Sequence, residues 1–566
     1  MAALGPAGQW EITQTQRVWL TVPPRNPAAS HDENPAAFQS DPIERPPGQP
    51  RRSWQISHVA ARRGNRGLDR GRGAGAPGSW ENIITAFLLG AGSGVFVCWR
   101  GAKIKMKSVA IIGAGITGLT AAFYLQRRGV PVTVYEASGR VGGVIQSIRQ
   151  DGFLAEFGPN TILETSPKIA QLIRDAGLAP RKLATDPAAE ARYVVRYGRP
   201  IAMPGTPLGF ITTPLFTAQA KLAVLREPFI KPRRDGVEES IGQFVVRRFN
   251  QEFLDHAIDA LVAGIYAGDP HKLSLTHAFP KLKALEDNYG SMIKGQIFGA
   301  RARKQSGEVA KDRAAKFSFD DGLQVLPDGL AAQLGAALKL NTPVTKLTQT
   351  SQGWRVTTPG GEAEFGAVIY CGTAHRLAEL EIIDGRAALQ RRLTEVFSEI
   401  SYPPVSAVVL GFRRADVTHP CAGFGMLIPK IEGFKILGTI FSSALFPNRA
   451  PAGHLTLTSY IGGARYPELG LLPPEKLVEA TLADLRALLG VTSPPVFAHT
   501  KTWPQAIPQY NVGYGKYRAL LNYLEANAAN LFFAGHYRDG VSLGDSMVSG
   551  VNIAERVGNF LTAAAS

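Results

Sequence analysis

The stretch Ser108–Ala137, SVAIIGAGITGLTAAFYLQRRGVPVTVYEA, limits what this chain can fold into more than any other. SVAII reads as a short buried strand. Gly113, Gly115 and Gly118 follow as G-x-G-x-x-G, with Ala114, Ile116 and Thr117 between them. The first glycine permits a tight turn, the second a close backbone approach to a pyrophosphate, and the third close packing of helix on strand. TGLTAAFYLQRRG is apolar on one face and has a natural stop at Gly129. The N-terminus of that helix directs N–H groups and a positive dipole at phosphates. A second strand, VPVTVYE, closes at Glu136, eighteen residues past Gly118, where a carboxylate takes ribose hydroxyls. A lone glycine motif is weak evidence. Strand, helix, strand and acid in this order read as the start of a dinucleotide-binding α/β domain.

The unit begins late in a chain of 566 residues, long enough for two to four domains. Residues 1–105 are expected to be a disordered, low-complexity extension. Pro, Gly and Arg dominate its first eighty or so positions, and no apolar period persists. Ile83–Trp99 is uncharged but at the short limit for a membrane span. Met106 stands where such a unit usually opens, so it is expected to be the native start. The net charge of +16 favours anionic partners. Without zinc-finger spacing or an RNP-like aromatic stretch, nucleic acid is not one of them, and no metal site is expected. Three cysteines, Cys98, Cys371 and Cys421, lie far apart and argue against a disulfide framework.

SGRVGG (Ser138–Gly143) follows the acid directly, and DGFLAEFGPNT (Asp151–Thr161) comes next. Near the end, NLFFAGHYRDGVSLGDSMVSGVNIAERV (Asn530–Val557) reads as a strand, a glycine-rich loop and a helix. Together these resemble FAD oxidases of the amine-oxidase type, in which a distant C-terminal segment closes the flavin site. Four further stretches narrow the resemblance: ARYVVRYGRPIAMPGTP (Ala191–Pro207), LVAGIYAGDPHKLSLTHAFPKL (Leu261–Leu282), FSFDDGLQVLPDGLA (Phe317–Ala331) and AIPQYNVGY (Ala506–Tyr514). With them the chain from Met106 onward resembles the oxygen-dependent protoporphyrinogen oxidase and coproporphyrinogen III oxidase family.

The resemblance implies an α/β fold. Its parts are a Rossmann-like FAD domain of the amine-oxidase/p-hydroxybenzoate-hydroxylase type, a mixed-sheet substrate domain and a helical membrane-associating lobe. It assigns the flavin domain to 106–185, 322–374 and 500–566, the lobe to 186–295, and the substrate domain to 296–321 and 375–499. FAD, held noncovalently, is expected at Gly113–Gly118, Glu136, Arg140, Gly142, Gly143, Gly158, Pro159, Asn160, Thr161, Val344, Gly535, Val541, Ser542 and Leu543. Asn160, Arg192 and Gly264 are implied to meet the substrate: an amide near flavin and porphyrinogen, a guanidinium for a propionate, and a backbone facing the pyrroles. On residues alone, Asn160 also reads as a turn residue, Arg192 as a solvated strand-edge arginine and Gly264 as a helix C-cap. No catalytic residue is assigned, although His536 in the closing loop stands out among scattered histidines.

The implied reaction is six-electron oxidation of protoporphyrinogen IX by O2, releasing hydrogen peroxide. The alternatives are the same oxidation of coproporphyrinogen III, an amine oxidase with Tyr510 and Tyr514 as an aromatic cage, and a flavin-binding protein without turnover. PLGFITTPLFTAQAKLAVLREPFIKPRR mixes apolar and basic residues. Display of Phe210, Leu215, Phe216, Leu222 and Phe229 beside Lys221, Arg226, Lys231, Arg233 and Arg234 would suit anionic headgroups. A cytoplasmic location, peripheral contact with the cytoplasmic membrane face and a homodimer follow by family analogy.

Overall fold

The computed structural model describes residues 108–299, 314–384 and 395–563. The expectations for residues 1–105, including Ile83–Trp99 and Met106, lie outside the described residues. A five-stranded, all-parallel sheet runs in the order Leu338–Lys339, Val132–Tyr135, Val109–Ile112, Ala367–Tyr370 and Leu531–Phe533. Its strands come from three separated stretches of the chain. Val109–Ile112 and Ala367–Tyr370 are apolar and buried at every position because both faces are covered. Val109 and Ile111 face one core with the glycine helix, Ile116–Arg127, and the closing helix, Leu543–Ala563. Ala110 and Ile112 face the opposite core, which is built on Trp354, Phe365 and Tyr510. The Thr117 hydroxyl donates to the Ser546 carbonyl at 3.1 Å and ties the two helices together.

A seven-stranded sheet forms the second layer system, in the order Phe497–Trp503, Val405–Arg413, His454–Gly462, Ile436–Ile440, Gly425–Leu427, Arg192–Arg196 and Arg199–Ala202. VSAVVLGF and HLTLTSYIGG form its second and third strands, paired antiparallel from Val405↔Gly462 to Arg413↔His454. The expected boundaries do not coincide with this sheet. Arg192–Ala202 falls within the stretch assigned to the helical lobe, and Phe497–Trp503 straddles the 499/500 division. Arg192–Val194 joins by parallel pairing with Gly425–Leu427, a contact between distant segments that no local pattern signals.

The helices between Pro207 and Phe298 form the lobe. Ser240 and Gln243 make a reciprocal capping box at the start of Ile241–Arg248. The following chain is not one amphipathic helix. Asn250 caps a new start at Gln251 by accepting from Phe253 N at 2.9 Å, and Leu254–Ile258 is a π turn leading into Asp259–Tyr266. The lobe's interior holds charge: Arg248, fully buried, pairs with Glu227 at 3.0 Å and Glu286 at 2.6 Å. Arg247 joins Glu239 at 2.6 Å and Glu286 at 2.9 Å.

Surface display departs from the expected list. Leu215 is buried, and Phe210 and Phe216 pack into an aromatic run in which Phe216 stacks on Phe253 at 4.7 Å. Rings of this size find partners within the lobe before they find solvent. Leu222 and Phe229 are displayed as expected, together with Leu208, Ile211 and Leu225.

Candidate active site

The glycine turn opens at Gly113, where φ of +102° is freely open only to glycine and the N–H donates to the Tyr135 carbonyl at 2.7 Å. A Cβ on Gly118 would lie 2.0 Å from the Gly113 carbonyl oxygen, so the turn and helix close on each other without side chains. At Gly115 a Cβ would meet nothing within 4 Å, and no side chain caps the helix there. An uncapped helix N-terminus beside open space fits a pyrophosphate. Glu136 caps this region from the second strand: Oε2 accepts from Ala114 N at 2.8 Å and Oε1 from Ser138 N at 2.9 Å. The Leu338–Thr342 segment runs alongside, with Thr342 N donating to the Glu136 carbonyl at 2.8 Å, and Val344 follows two residues later.

The second glycine loop lies against the first. Gly142 N donates to the Ala114 carbonyl at 2.9 Å, and Gly115 and Gly142 form a parallel bridge. Arg140 acts from inside this loop. Its guanidinium donates to the carbonyls of Val141 at 3.1 Å, Ile145 at 2.9 Å and Gly143. What it offers a cofactor is the loop's shape.

Gly158–Thr161 forms the next turn. Asn160 is buried and its amide donates to the Tyr460 hydroxyl at 2.5 Å, while that hydroxyl donates to the Gly158 carbonyl at 2.8 Å. Tyr460 thereby joins the seven-stranded sheet to the flavin-side turn. Burial raises its phenol above the ordinary range, so it stays protonated. Just upstream, Glu156 is buried. Its Oε2 accepts from Ser147 Oγ at 2.6 Å and its Oε1 from Leu323 N at 2.8 Å.

The C-terminal segment returns to the same place. Gly535 N donates to Ser549 Oγ at 3.1 Å, and the residue lies beside the Cys371 carbonyl, whose backbone also abuts Gly113. Ser542 caps the closing helix by accepting from Asp545 N at 3.1 Å, flanked by Val541 and Leu543. Tyr510 and Tyr514 are buried, with hydroxyls donated to the His536 and Tyr537 carbonyls. These are the rings that the amine-oxidase alternative would use as a cage; here they pack against each other at 4.4 Å and are 1% exposed. His536 lies against Tyr402 and Tyr537. Burial, and then the neighbouring His375, hold its imidazole down to about 4, so it is neutral near pH 7.

One face of the seven-stranded sheet collects the remaining expected residues. Tyr460 pairs with Gly438, Gly438 with Leu427 and Leu427 with Val194, so these share a row, and Arg192 lies two residues along on the same face. Gly264 meets this row from the helix Asp259–Tyr266: a Cβ there would lie 2.6 Å from Leu427 Cδ2. Gly264 is not the helix C-cap, a place taken by Ala267 at φ +47°. Arg192 is exposed, stacks over Phe424 at 5.9 Å, and pairs with no carboxylate among the described residues. It lines a cleft of about 140 Å³ with Asp186, Glu190 and Lys316. Tyr460 and Leu427 had no sequence signal, since their roles arise from contacts hundreds of residues away.

The family model of flavin-containing amine oxidoreductases matches residues 116–558. The chain is 35% identical over 486 residues to a chloroplastic/mitochondrial protoporphyrinogen oxidase of Arabidopsis thaliana, covering 81% of this chain and 95% of that one. It is 28% identical over 465 residues to a coproporphyrinogen III oxidase of Bacillus subtilis, covering 78% and 96%. A crystal structure from an Exiguobacterium species, assigned as a protoporphyrinogen oxidase, shares the fold with a TM-score of 0.67 at 22% identity, covering 80% of this chain and 99% of that one.

Proposed function

Because the chain belongs to the flavin-containing amine oxidoreductase family, we propose that it oxidises protoporphyrinogen IX to protoporphyrin IX with FAD as cofactor and O2 as acceptor. The observation that carries this reading is the shared sheet face. A guanidinium stands at one end, the close Leu427–Gly264 contact lies between, and the Asn160–Tyr460 pair stands at the turn next to the glycine loops. A flat apolar macrocycle with carboxylates on one edge matches that order. Arg192 grips a propionate, the Gly264 backbone faces the ring where the Leu427 side chain swings away, and Asn160 orients the ring's polar centre.

FAD would be held by Gly113–Gly118, Glu136, Gly142–Gly143, Gly158–Thr161, Val344, Gly535 and Val541–Leu543. When bound it supplies the two-electron acceptor that the side chains lack. No cysteine lies in the closing segment Asn530–Val557, so the cofactor is held without a thioether link. His536 is buried and neutral near pH 7, and no catalytic role is assigned to it.

Coproporphyrinogen III is the second reading, favoured by Lys501. This residue shares the Tyr460 row through Ala407 and stands over the Trp503 ring at 5.2 Å. A cation there suits a substrate with carboxylates on both sides. The lobe carries Leu208, Ile211, Leu222, Leu225 and Phe229 exposed beside Arg226, Lys231 and Arg234, which supports peripheral contact with an anionic membrane face on the cytoplasmic side. No helix among the described residues is long and apolar enough to cross a membrane. A homodimer rests on family analogy alone.

The test is to load the protein with FAD and follow porphyrin fluorescence with each porphyrinogen in air. Faster turnover of protoporphyrinogen is expected. Porphyrin from neither substrate would end the reading, and a preference for coproporphyrinogen would replace it with the second.

A further inference from the structure

Gln509–Tyr514 lies between the helical lobe and the C-terminal turn and is bonded to both. On the lobe side, Ser274 N donates to the Tyr510 carbonyl at 2.8 Å and Val512 N to the Lys272 carbonyl at 2.9 Å. Gln509 Nε2 donates to the Tyr266 carbonyl at 2.9 Å. Tyr266 is the last residue of the helix that carries Gly264. The neighbouring Gly268 leaves room for this amide, since a Cβ there would lie 2.6 Å from Gln509 Oε1.

On the other side, the Tyr510 hydroxyl donates to the His536 carbonyl and accepts from Gly540 N at 3.2 Å, spanning the turn His536–Asp539 from end to end. The Tyr514 hydroxyl donates to the Tyr537 carbonyl at 2.6 Å. The two rings are 1% exposed and pack at 4.4 Å. Phenylalanine would fill the same space without a hydroxyl to desolvate, so packing alone does not call for tyrosine at either position. Each hydroxyl is committed to the backbone of one short turn, and that turn follows Gly535, which lies beside the Cys371 carbonyl that abuts Gly113.

We propose that Gln509–Tyr514 is a bracket that fixes the flavin-closing turn against the substrate-bearing helix, with the Tyr510 hydroxyl as its positioning group. The proposal rests on the FAD reading above. One bracket holds both parts, so the distance between cofactor and substrate is set here rather than by either part alone. Tyr510 positions the turn and touches no reacting atom.

FAD affinity of the apoprotein, measured by quenching of FAD fluorescence, tests this without turnover. Tyr510→Phe leaves the His536 carbonyl and Gly540 N without their partner, and is expected to raise the Kd about tenfold or more. It is also expected to change the shape of the visible flavin band. Tyr514→Phe removes one bond and raises the Kd less, while Tyr523→Phe, at an exposed position, leaves it unchanged. Gln509→Leu combined with Tyr510→Phe is expected to cost less than the product of the single effects, because both cut the same bracket.

A wild-type protein that binds no FAD would end the flavin reading itself. A wild-type protein that binds FAD, beside a Tyr510→Phe variant of equal Kd and spectrum, would overturn the bracket alone. Fully multiplicative effects in the double variant would overturn the coupling of helix to turn. If apo Tyr510→Phe lacks native circular dichroism, Tyr514→Phe decides, and an unchanged Kd there overturns the proposal.

Discussion

Glu156→Gln is expected to change how stability depends on pH, and the structure gives the size. The Glu156 carboxyl is 2% exposed. Burial raises it from 4.5 to about 7, against the opposing pulls of the Ser147 hydrogen bond, the Arg449 guanidinium at 3.9 Å and the Leu323 N–H. The folded value lies above the unfolded one. The stability this group contributes is therefore whole below pH 4.5 and is lost as pH rises through 7. At about 1.4 kcal/mol per pH unit, ionising the buried carboxyl costs about 3 kcal/mol between pH 4 and pH 8. Glutamine keeps the shape: its oxygen still accepts from Leu323 N and its amide can donate to Ser147 Oγ. Urea unfolding of both proteins with saturating FAD, across pH 4.5 to 8, reads the difference. The variant should gain about 3 kcal/mol relative to wild type as pH rises over this range. A difference that is flat in pH, or that shrinks as pH rises, would refute the reasoning.

Arg248→Met should lower stability by about 3–5 kcal/mol in denaturant unfolding, because buried Glu227 would lose its guanidinium partner and buried Glu286 one of its two. Arg192→Ala should raise KM by about tenfold with a smaller change in kcat, since a propionate contact is largely uniform binding. An unchanged KM would remove Arg192 from the substrate site. Leu225→Glu with Phe229→Glu, at side chains 70% and 85% exposed, should abolish sedimentation with anionic vesicles while soluble turnover persists. Undiminished vesicle binding would move the contact elsewhere.

The nucleotide unit was legible because its signals are local. Gly113, Gly115, Gly118 and Glu136 lie within one strand–helix–strand run, and the structure places them around one open helix N-terminus. The return of Gly535 and Ser542 to that place was readable only through resemblance, since 422 residues separate Gly113 from Gly535. Three kinds of information were out of reach. Arg140 is expected at the FAD site, and its fork turns inward to carbonyls of its own loop. Tyr460 looks like any outward position of an alternating strand until Gly158 and Asn160 meet it from 300 residues away. Leu215 and Phe216 read as membrane-facing because composition marks them apolar, and only the packing of Phe216 on Phe253 shows which surface they use. The lobe's ends moved for a related reason. Arg192–Ala202 has strand character, but the sheet it joins is completed by residues more than 200 positions later.

The most direct test of the central claim is anaerobic mixing of the FAD-loaded protein with protoporphyrinogen IX. The visible flavin band should bleach without oxygen as each flavin takes two of the six electrons, and readmitted oxygen should restore the band, release hydrogen peroxide and let porphyrin fluorescence rise over three such cycles. A flavin that stays oxidised in the presence of protoporphyrinogen, or porphyrin that forms at the same rate without FAD, would contradict the account.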